Sequence, residues 1–373
     1  MRLLHVYSGN LFGGVESVLV ALARTNVPGV THEFALAFEG RASRELAAAG
    51  AAVHPLGAVR ASRPHTIARA RRSLDAIVRG GAFDAALCHA AWSYAIFAPV
   101  VRRAGVPSIF WAHDVLTRRH WTEKWASRTP PDLVVANSEY TAASIDAVFP
   151  GADRRVVYAP VDVAPRAISA AHRAELRASL STADRDVVIV TACRSEAWKG
   201  HLVLADALGM LGGLPGWTWW QAGGEQRPSE RALLDAVRER AARGGISGRV
   251  RMLGNRSDVP DLLAASDVHC QPNTSAEPFG VVFVEALAAG LPSVTTGLGG
   301  VAEIVDPTCG VVVPPSDPAA LASALRTLIA DPIARRQLGA AGPPRARRLC
   351  DPAAQTRRLA DAIDSLRGMR VTA

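Results

Sequence analysis

Leu3-Leu4-His5-Val6-Tyr7-Ser8-Gly9-Asn10-Leu11-Phe12-Gly13-Gly14-Val15-Glu16 sets the pattern for the whole chain: an apolar run, a glycine loop, then a helical start. A short apolar run without polar interruption reads as a strand buried on both faces, the kind found in parallel sheets covered by helices. The same unit recurs along the chain. Predicted strands cover 3–7, 34–38, 85–88, 108–111, 133–136 and 156–158. A second series covers 187–191, 218–221, 250–253, 268–271, 293–295 and 310–313, with helical stretches between most of the strands. Two such series predict an α/β chain of two Rossmann-like, doubly wound parallel-sheet domains. Their seam falls in Ala159-Pro160-Val161-Asp162-Val163-Ala164-Pro165, where two prolines disfavour helix and stiffen the connector. The expected division is 1–163, 164–348, and a C-terminal helix over 349–373 that packs back on the first domain. Beyond about residue 317 the pattern is helical, with breaks expected at Asp331-Pro332, Gly342-Pro343-Pro344 and Asp351-Pro352.

Composition agrees with two globular domains. The chain has 373 residues, 49% of them apolar and 20% charged, enough to bury sizeable cores. Its basic side chains are nearly all arginine; Lys124 and Lys199 are the two lysines. Net charge is +8, and residues 1–160 carry +6 of it, with a run at Arg60, Arg63, Arg69, Arg71 and Arg72. Such a cluster can meet an anionic membrane surface or acceptor, or simply line a solvated helix face. No zinc spacing, recognition helix or aromatic-and-basic stripe points to nucleic acid. Five scattered cysteines (Cys88, Cys193, Cys270, Cys309, Cys350) without a C-x-x-C pair predict free thiols in a reducing compartment. The amino terminus is apolar for too short a stretch to be a signal sequence, and no apolar run reaches membrane-spanning length. The expected location is cytoplasmic, with peripheral contact at the inner membrane face.

Open parallel sheets bind ligands at the carboxyl ends of their strands, so those loops carry the candidate chemistry. Gly13 and Gly14, just before a helix, let a backbone approach an anion held by helix-terminal amides. The loop is not G-x-G-x-x-G, and no acidic residue follows at dinucleotide spacing. His113, in Trp111-Ala112-His113-Asp114, follows a strand and is placed to reach a ligand. In Cys193-Arg194-Ser195-Glu196-Ala197-Trp198-Lys199-Gly200, Arg194 and Lys199 can converge on one diphosphate, Arg through paired donors and Lys as a point charge. The spacing rules out a Walker loop. The most specific segment is Glu277-Pro278-Phe279-Gly280-Val281-Val282-Phe283-Val284-Glu285-Ala286. A helix beginning near 279–281 would put Glu277 in the loop and Glu285 one to two turns inside, with free amides between them. Carboxylate, anion hole and carboxylate match the sugar, diphosphate and ribose of a nucleotide-sugar in that order.

The ordered set Gly13-Gly14, His113-Asp114, Asn137-Ser138-Glu139, Arg194 with Lys199-Gly200, Gly254, Glu277-x7-Glu285 and Ala289-Gly290-Leu291-Pro292 resembles the retaining family-4 glycosyltransferases. The resemblance covers nearly the whole chain. It implies the GT-B fold, with two Rossmann-like domains facing across a cleft. By the same resemblance, Glu277 and the amides of Phe279 and Gly280 would hold the donor sugar. Val281 and Val282 would continue that amide run, Glu285 would bind the ribose, and Arg194 with Lys199 the diphosphate. Gly13 and Gly14 would approach the phosphate, His113 would sit at the sugar, and Gly254, Asn255 and Arg256 would wall the base pocket. Ala192-Cys193 departs from the glycine-containing turn the family often has there, and the acceptor-side loops match no motif.

The function this implies is retaining, metal-independent transfer of a sugar from a nucleotide-diphosphate-sugar to a glycan, lipid-linked or small-molecule acceptor, in cell-surface polysaccharide or glycoconjugate synthesis. No cofactor or metal is expected. Asp184-Arg185-Asp186 spells a metal-binding D-x-D, but it precedes a strand at its amino end, the wrong side of the sheet. Two rivals remain open at this point. A nucleotide-sugar epimerase or hydrolase would need its own acid and base residues, and a non-catalytic binding protein would typically have lost Glu277, Lys199 or Arg194.

Overall fold

Val187-Val188-Ile189-Val190 shows why these runs become central strands: β-branched side chains are stiff in the extended form and pack well on a pleated surface. The computed structural model describes residues 1–10, 13–164, 166, 168–225 and 227–371. Leu11 and Phe12 of the first glycine loop, and Pro165 of the connector, lie outside them. The chain splits into two compact units, one of residues 1–162 with 350–373, the other of residues 163–349.

The first unit holds a seven-stranded sheet of β1 (Arg2–Tyr7), β2 (Thr31–Leu36), β3 (Ala52–Pro55), β4 (Ala85–His89), β5 (Ser108–Ala112), β6 (Leu133–Ala136) and β7 (Arg154–Val156), in the order β3-β2-β1-β4-β5-β6-β7. The second holds β8 (Val187–Ala192), β9 (Trp217–Ala222), β10 (Val250–Gly254), β11 (Val268–Gln271), β12 (Ser293–Thr295) and β13 (Gly310–Val312), in the order β10-β9-β8-β11-β12-β13. All recorded pairings within both sheets are parallel. In each, strand order reverses direction beside the first strand, the switch point where open α/β sheets bind ligands. In the second unit that point lies between β8 and β11.

Four expectations need correction. β3 was not foreseen, because Ala-Val-His-Pro at a sheet edge carries too little apolar signal. β2 starts at Thr31 and stops at Leu36, two residues short of the expected end. Its polar opening is drawn into the sheet because Glu33 accepts two hydrogen bonds from Arg2 and His32 meets His5. β7 is Arg154-Arg155-Val156, an edge strand whose arginines hide it from an apolar reading. Finally, Gly342-Pro343-Pro344 breaks nothing: one helix runs Pro332–Cys350. Its glycines serve packing, since a Cβ on Gly342 would meet the Leu287 carbonyl at 2.6 Å and one on Gly339 the Gly290 carbonyl at 2.2 Å. The expected breaks at Asp331 and Asp351 are present.

Candidate active site

The second unit gathers its polar side chains at the carboxyl ends of β8, β11 and β12. After β8 the chain turns through Cys193 to Ser195, whose hydroxyl donates to the Gly223 carbonyl beyond β9 (3.1 Å). A single 3₁₀ turn, Ala197–Lys199, then feeds the helix His201–Gly209. Gly200 joins the two with φ +79°, and a Cβ there would strike the Pro272 carbonyl at 1.8 Å. Only glycine lets the loop press this closely on the end of β11. Thr274 seals the approach by donating its N–H to the Trp198 carbonyl (2.8 Å).

That contact brings Lys199 onto Glu277. Lys199 Nζ lies 2.5 Å from Glu277 Oε2, with side chains only 12% and 9% exposed. The same oxygen accepts from Gln271 Nε2 and Asn273 Nδ2, both at 3.3 Å, and Gln271 also donates to Asn273 Oδ1 (2.9 Å). The lysine ammonium also stands 3.9 Å from the centre of the Trp198 ring, a cation–π distance. The Glu277 backbone is fixed too: its N–H donates to Leu298 and its carbonyl accepts from Gly300. Gly299 (φ +77°) and Gly300 permit this, since a Cβ on either would meet backbone at 2.3 Å. Gln271, Asn273, Gly299 and Gly300 escaped sequence analysis. The first two stand at a strand's carboxyl end, which was signal enough to find them.

Gly280, at φ +99°, caps the helix Val281–Ala288, so Glu277 and Phe279 lie ahead of it and Glu285 half-buried within. Val281 and Val282 open the helix, where amides have no partner in the preceding turn. Asn255, after β10, accepts from the Gly224 N–H (3.0 Å), and Gly254 accepts from Gly223 N–H (2.9 Å). A cavity of about 420 Å³ opens there, lined by Gly224, Gly254, Asn255 and Leu234. Arg256 is committed to Asp258 through two bonds of 2.7 and 2.5 Å. Burial, offset only in part by the Lys199 charge, pushes the Cys193 thiol up to about 12, so it stays protonated beside this site.

Arg194 does not join Lys199 in this cluster. Its Nη2 lies 3.1 Å from Glu230 and 3.3 Å from Glu196, while its buried Nε has no partner among the described residues. The reason is local: Glu230 caps the helix Pro228–Arg243 and points a carboxylate at the end of β8.

In the first unit, Gly13 caps the helix Gly14–Arg24 in an extended conformation (φ −165°). Its N–H is taken by Glu16 Oε2 (2.9 Å). His113 follows β5 and is 7% exposed; Asn137 Nδ2 donates to its carbonyl (3.2 Å). Burial lowers its imidazole to about 3. Asp184 and Asp186 precede β8, at the amino edge of the sheet. Among the described residues, no helix is long and apolar enough to cross a membrane.

Comparison with known proteins agrees with this layout. The model of glycosyl transferases group 1 matches residues 185–331, and that of glycosyltransferase family 4 matches residues 12–165. A phosphatidyl-myo-inositol mannosyltransferase of Mycobacterium leprae is 38% identical over 117 residues, 31% of each chain. The lipopolysaccharide core biosynthesis glycosyltransferase LpsE of Rhizobium meliloti is 32% identical over 167 residues, 44% of this chain and 46% of its own. These matches span under half the length of the relatives. The crystal structure of HepE from Anabaena, in complex with UDP and glucose, superposes with a TM-score of 0.84 at 24% identity, over 98% of this chain and 100% of that one. The two Rossmann-like units are those of the GT-B fold, and the chain belongs to the family-4, group 1 glycosyltransferases.

Proposed function

We propose that this chain transfers a sugar from a nucleotide-diphosphate-sugar to a carbohydrate or lipid-linked acceptor, with retention at the anomeric carbon and without a metal. The observation that carries the reading is the Glu277 carboxylate, gripped by Lys199, Gln271 and Asn273 at the mouth of a helix that carries Glu285. Departure of a nucleoside diphosphate develops negative charge, which Lys199 and the helix-terminal amides would stabilise. Glu277 Oε2 already accepts three donors, which suits a holder of hydroxyls better than a nucleophile. The leaving phosphate would then take the acceptor's proton. The cavity beside Gly254 and Asn255 would receive the base. His113 would donate to an oxygen of the sugar nucleotide.

Screening UDP- and GDP-sugars by thermal shift, then weighing products formed with candidate acceptors, tests the reading. Turnover should survive EDTA. Strict dependence on added manganese would overturn the electrostatic mechanism, and conversion of the donor's sugar without transfer would favour an epimerase.

The two carboxylates should fail differently. Glu285→Gln removes a charged acceptor from the ribose, worth about 1.5–3 kcal/mol, so nucleoside diphosphate affinity should fall about 10- to 100-fold. Glu277→Gln releases the Lys199 ammonium from its pair, so it should leave that affinity unchanged or raise it, and cost turnover and sugar discrimination instead. Calorimetry with free nucleoside diphosphate separates them; equal weakening by both substitutions would reverse the proposed order.

The first unit would face an anionic surface on the cytoplasmic side. A groove of about 590 Å³ is lined by Arg71, Arg72, Arg103 and an Arg79 paired with Asp75 (2.9 Å), beside Trp125, which stacks on the exposed Trp121. Arg71 is partly structural, donating to the Ile96 carbonyl (2.7 Å), so charge reversal belongs at Arg72 and Arg103. That variant should lose binding to anionic vesicles at about 0.1 M salt, where the Debye length is about 10 Å. Equal binding of the unaltered chain to neutral vesicles would remove the surface from the reading.

A further inference from the structure

Four histidines cross the first sheet in a file. His32 on β2, His5 on β1, His89 at the end of β4 and His113 after β5 stand on successive strands of the sheet. His32 Nδ1 lies 2.8 Å from His5 Nε2, His5 Nδ1 lies 2.9 Å from His89 Nε2, and His89 Nδ1 lies 2.8 Å from His113 Nε2. Phe34 stacks on His5 and Trp111 on His89, closing the file against water. The rings are strung end to end, and among the described residues no three His, Cys, Asp or Glu side chains converge as a metal site.

A neutral imidazole owns one N–H and one lone pair. Each link needs one of each, so the file has two self-consistent senses and no others. Its ends decide between them. At the closed end, His32 Nε2 is buried and has no partner among the described residues. A buried N–H without an acceptor is rarer and costlier than a vacant lone pair, so the lone pair belongs there. His32 then donates from Nδ1 to His5, His5 to His89, and His89 to His113 Nε2. His113 is left with its proton on Nδ1, which has no protein partner among the described residues.

We propose that His32, His5 and His89 act as a tautomer lock, holding His113 as a fixed Nδ1–H donor to an acceptor-only oxygen of the bound sugar nucleotide, a ring or phosphate oxygen. The role at the ligand rests on the reading that His113 touches it; the lock itself does not. Hydrogen bonds in one sense polarise one another, so the far ring strengthens the near one. Burial keeps the members uncharged near neutral pH: His113 is lowered to about 3, His32 to about 4, and His5 and His89 well below the usual histidine range. His32, three rings from His113, is a positioning residue.

Nitrogen-15 labelling of histidine in the full chain tests the lock, since two-bond correlations show which ring nitrogen is protonated. The expected spectrum at neutral pH has His113 protonated on Nδ1 alone. His32→Asn keeps an amide donor near the Nδ1 position and should leave the His113 signals and turnover near those of the unaltered chain. His32→Asp offers only an acceptor there, so it should move the His113 proton to Nε2 and lower turnover about tenfold, the worth of one hydrogen bond. A proton on Nε2 in the unaltered chain, or His113 signals identical in the Asn and Asp variants, would overturn the lock. If His32→Asp does not fold, the unaltered chain and His32→Asn still decide. Full turnover in His113→Phe would sink the ligand contact while leaving the tautomer result standing.

Discussion

Lys199→Met should lower turnover about 100-fold or more, since one preorganised donor to developing charge is worth about 10²–10³ in rate. The structure adds a complication that a survey of cations alone would miss. Lys199 is not waiting free for a phosphate; it is paired with Glu277 at 2.5 Å, both side chains largely out of water. Removing one partner of a buried pair leaves an uncompensated charge and costs about 3–5 kcal/mol. Lys199→Met should therefore also lower the melting temperature, and a loss of activity by itself proves little. The double substitution Lys199→Met with Glu277→Gln removes both charges and keeps the amide's hydrogen-bonding shape. It should recover most of the lost stability and none of the turnover. Melting curves and initial rates on the two single variants and the double close the cycle. Turnover that returns together with stability would make the pair structural and remove Lys199 from the diphosphate.

The contrast between Lys199 and Arg194 shows where sequence reading stops. Both were legible as cations at one strand's carboxyl end, and the two-sheet architecture that puts them there was legible from continuous apolar strands. Their directions were not. Glu230 lies 36 residues beyond Arg194 and takes its guanidinium; Glu277 lies 78 residues beyond Lys199 and takes its ammonium. Such pairings follow from which loops touch, and loop contact depends on glycines such as Gly200 whose reason is a carbonyl far along the chain. The missed elements have the opposite cause. β3, β7 and the start of β2 are polar or at an edge, so tertiary hydrogen bonds define them rather than local pattern. His5, His32 and His89 were visible as letters, but only strand order makes them neighbours.

Acidification from pH 7 to pH 5 should weaken the first unit more than the second. In the folded chain His32 is lowered to about 4, His113 to about 3, and His5 and His89 well below the usual histidine range, burial being the first cause in each. Unfolded, all four titrate near 6.5. The unfolded chain therefore binds more protons below that value, and the stability these histidines contribute is complete above pH 6.5 and is lost as pH falls toward their folded values. Between pH 7 and 5, His32 and His113 each contribute a loss on the order of 2 kcal/mol, a large part of a domain's whole stability, and His5 and His89 act in the same direction. Carboxylates titrate mostly below this window and add little to it. The second unit holds only two comparably lowered histidines, His201 near 4 and His269 near 3. Pulse proteolysis in increasing urea, with fragments assigned by mass to residues 1–162 or 163–349, follows each unit separately. The first should reach its midpoint at markedly lower urea at pH 5 than at pH 7. Midpoints that do not move between those pH values would mean the file accepts protons in the folded state, and that the four rings are neither as dry nor as neutral as their packing against Phe34 and Trp111 implies.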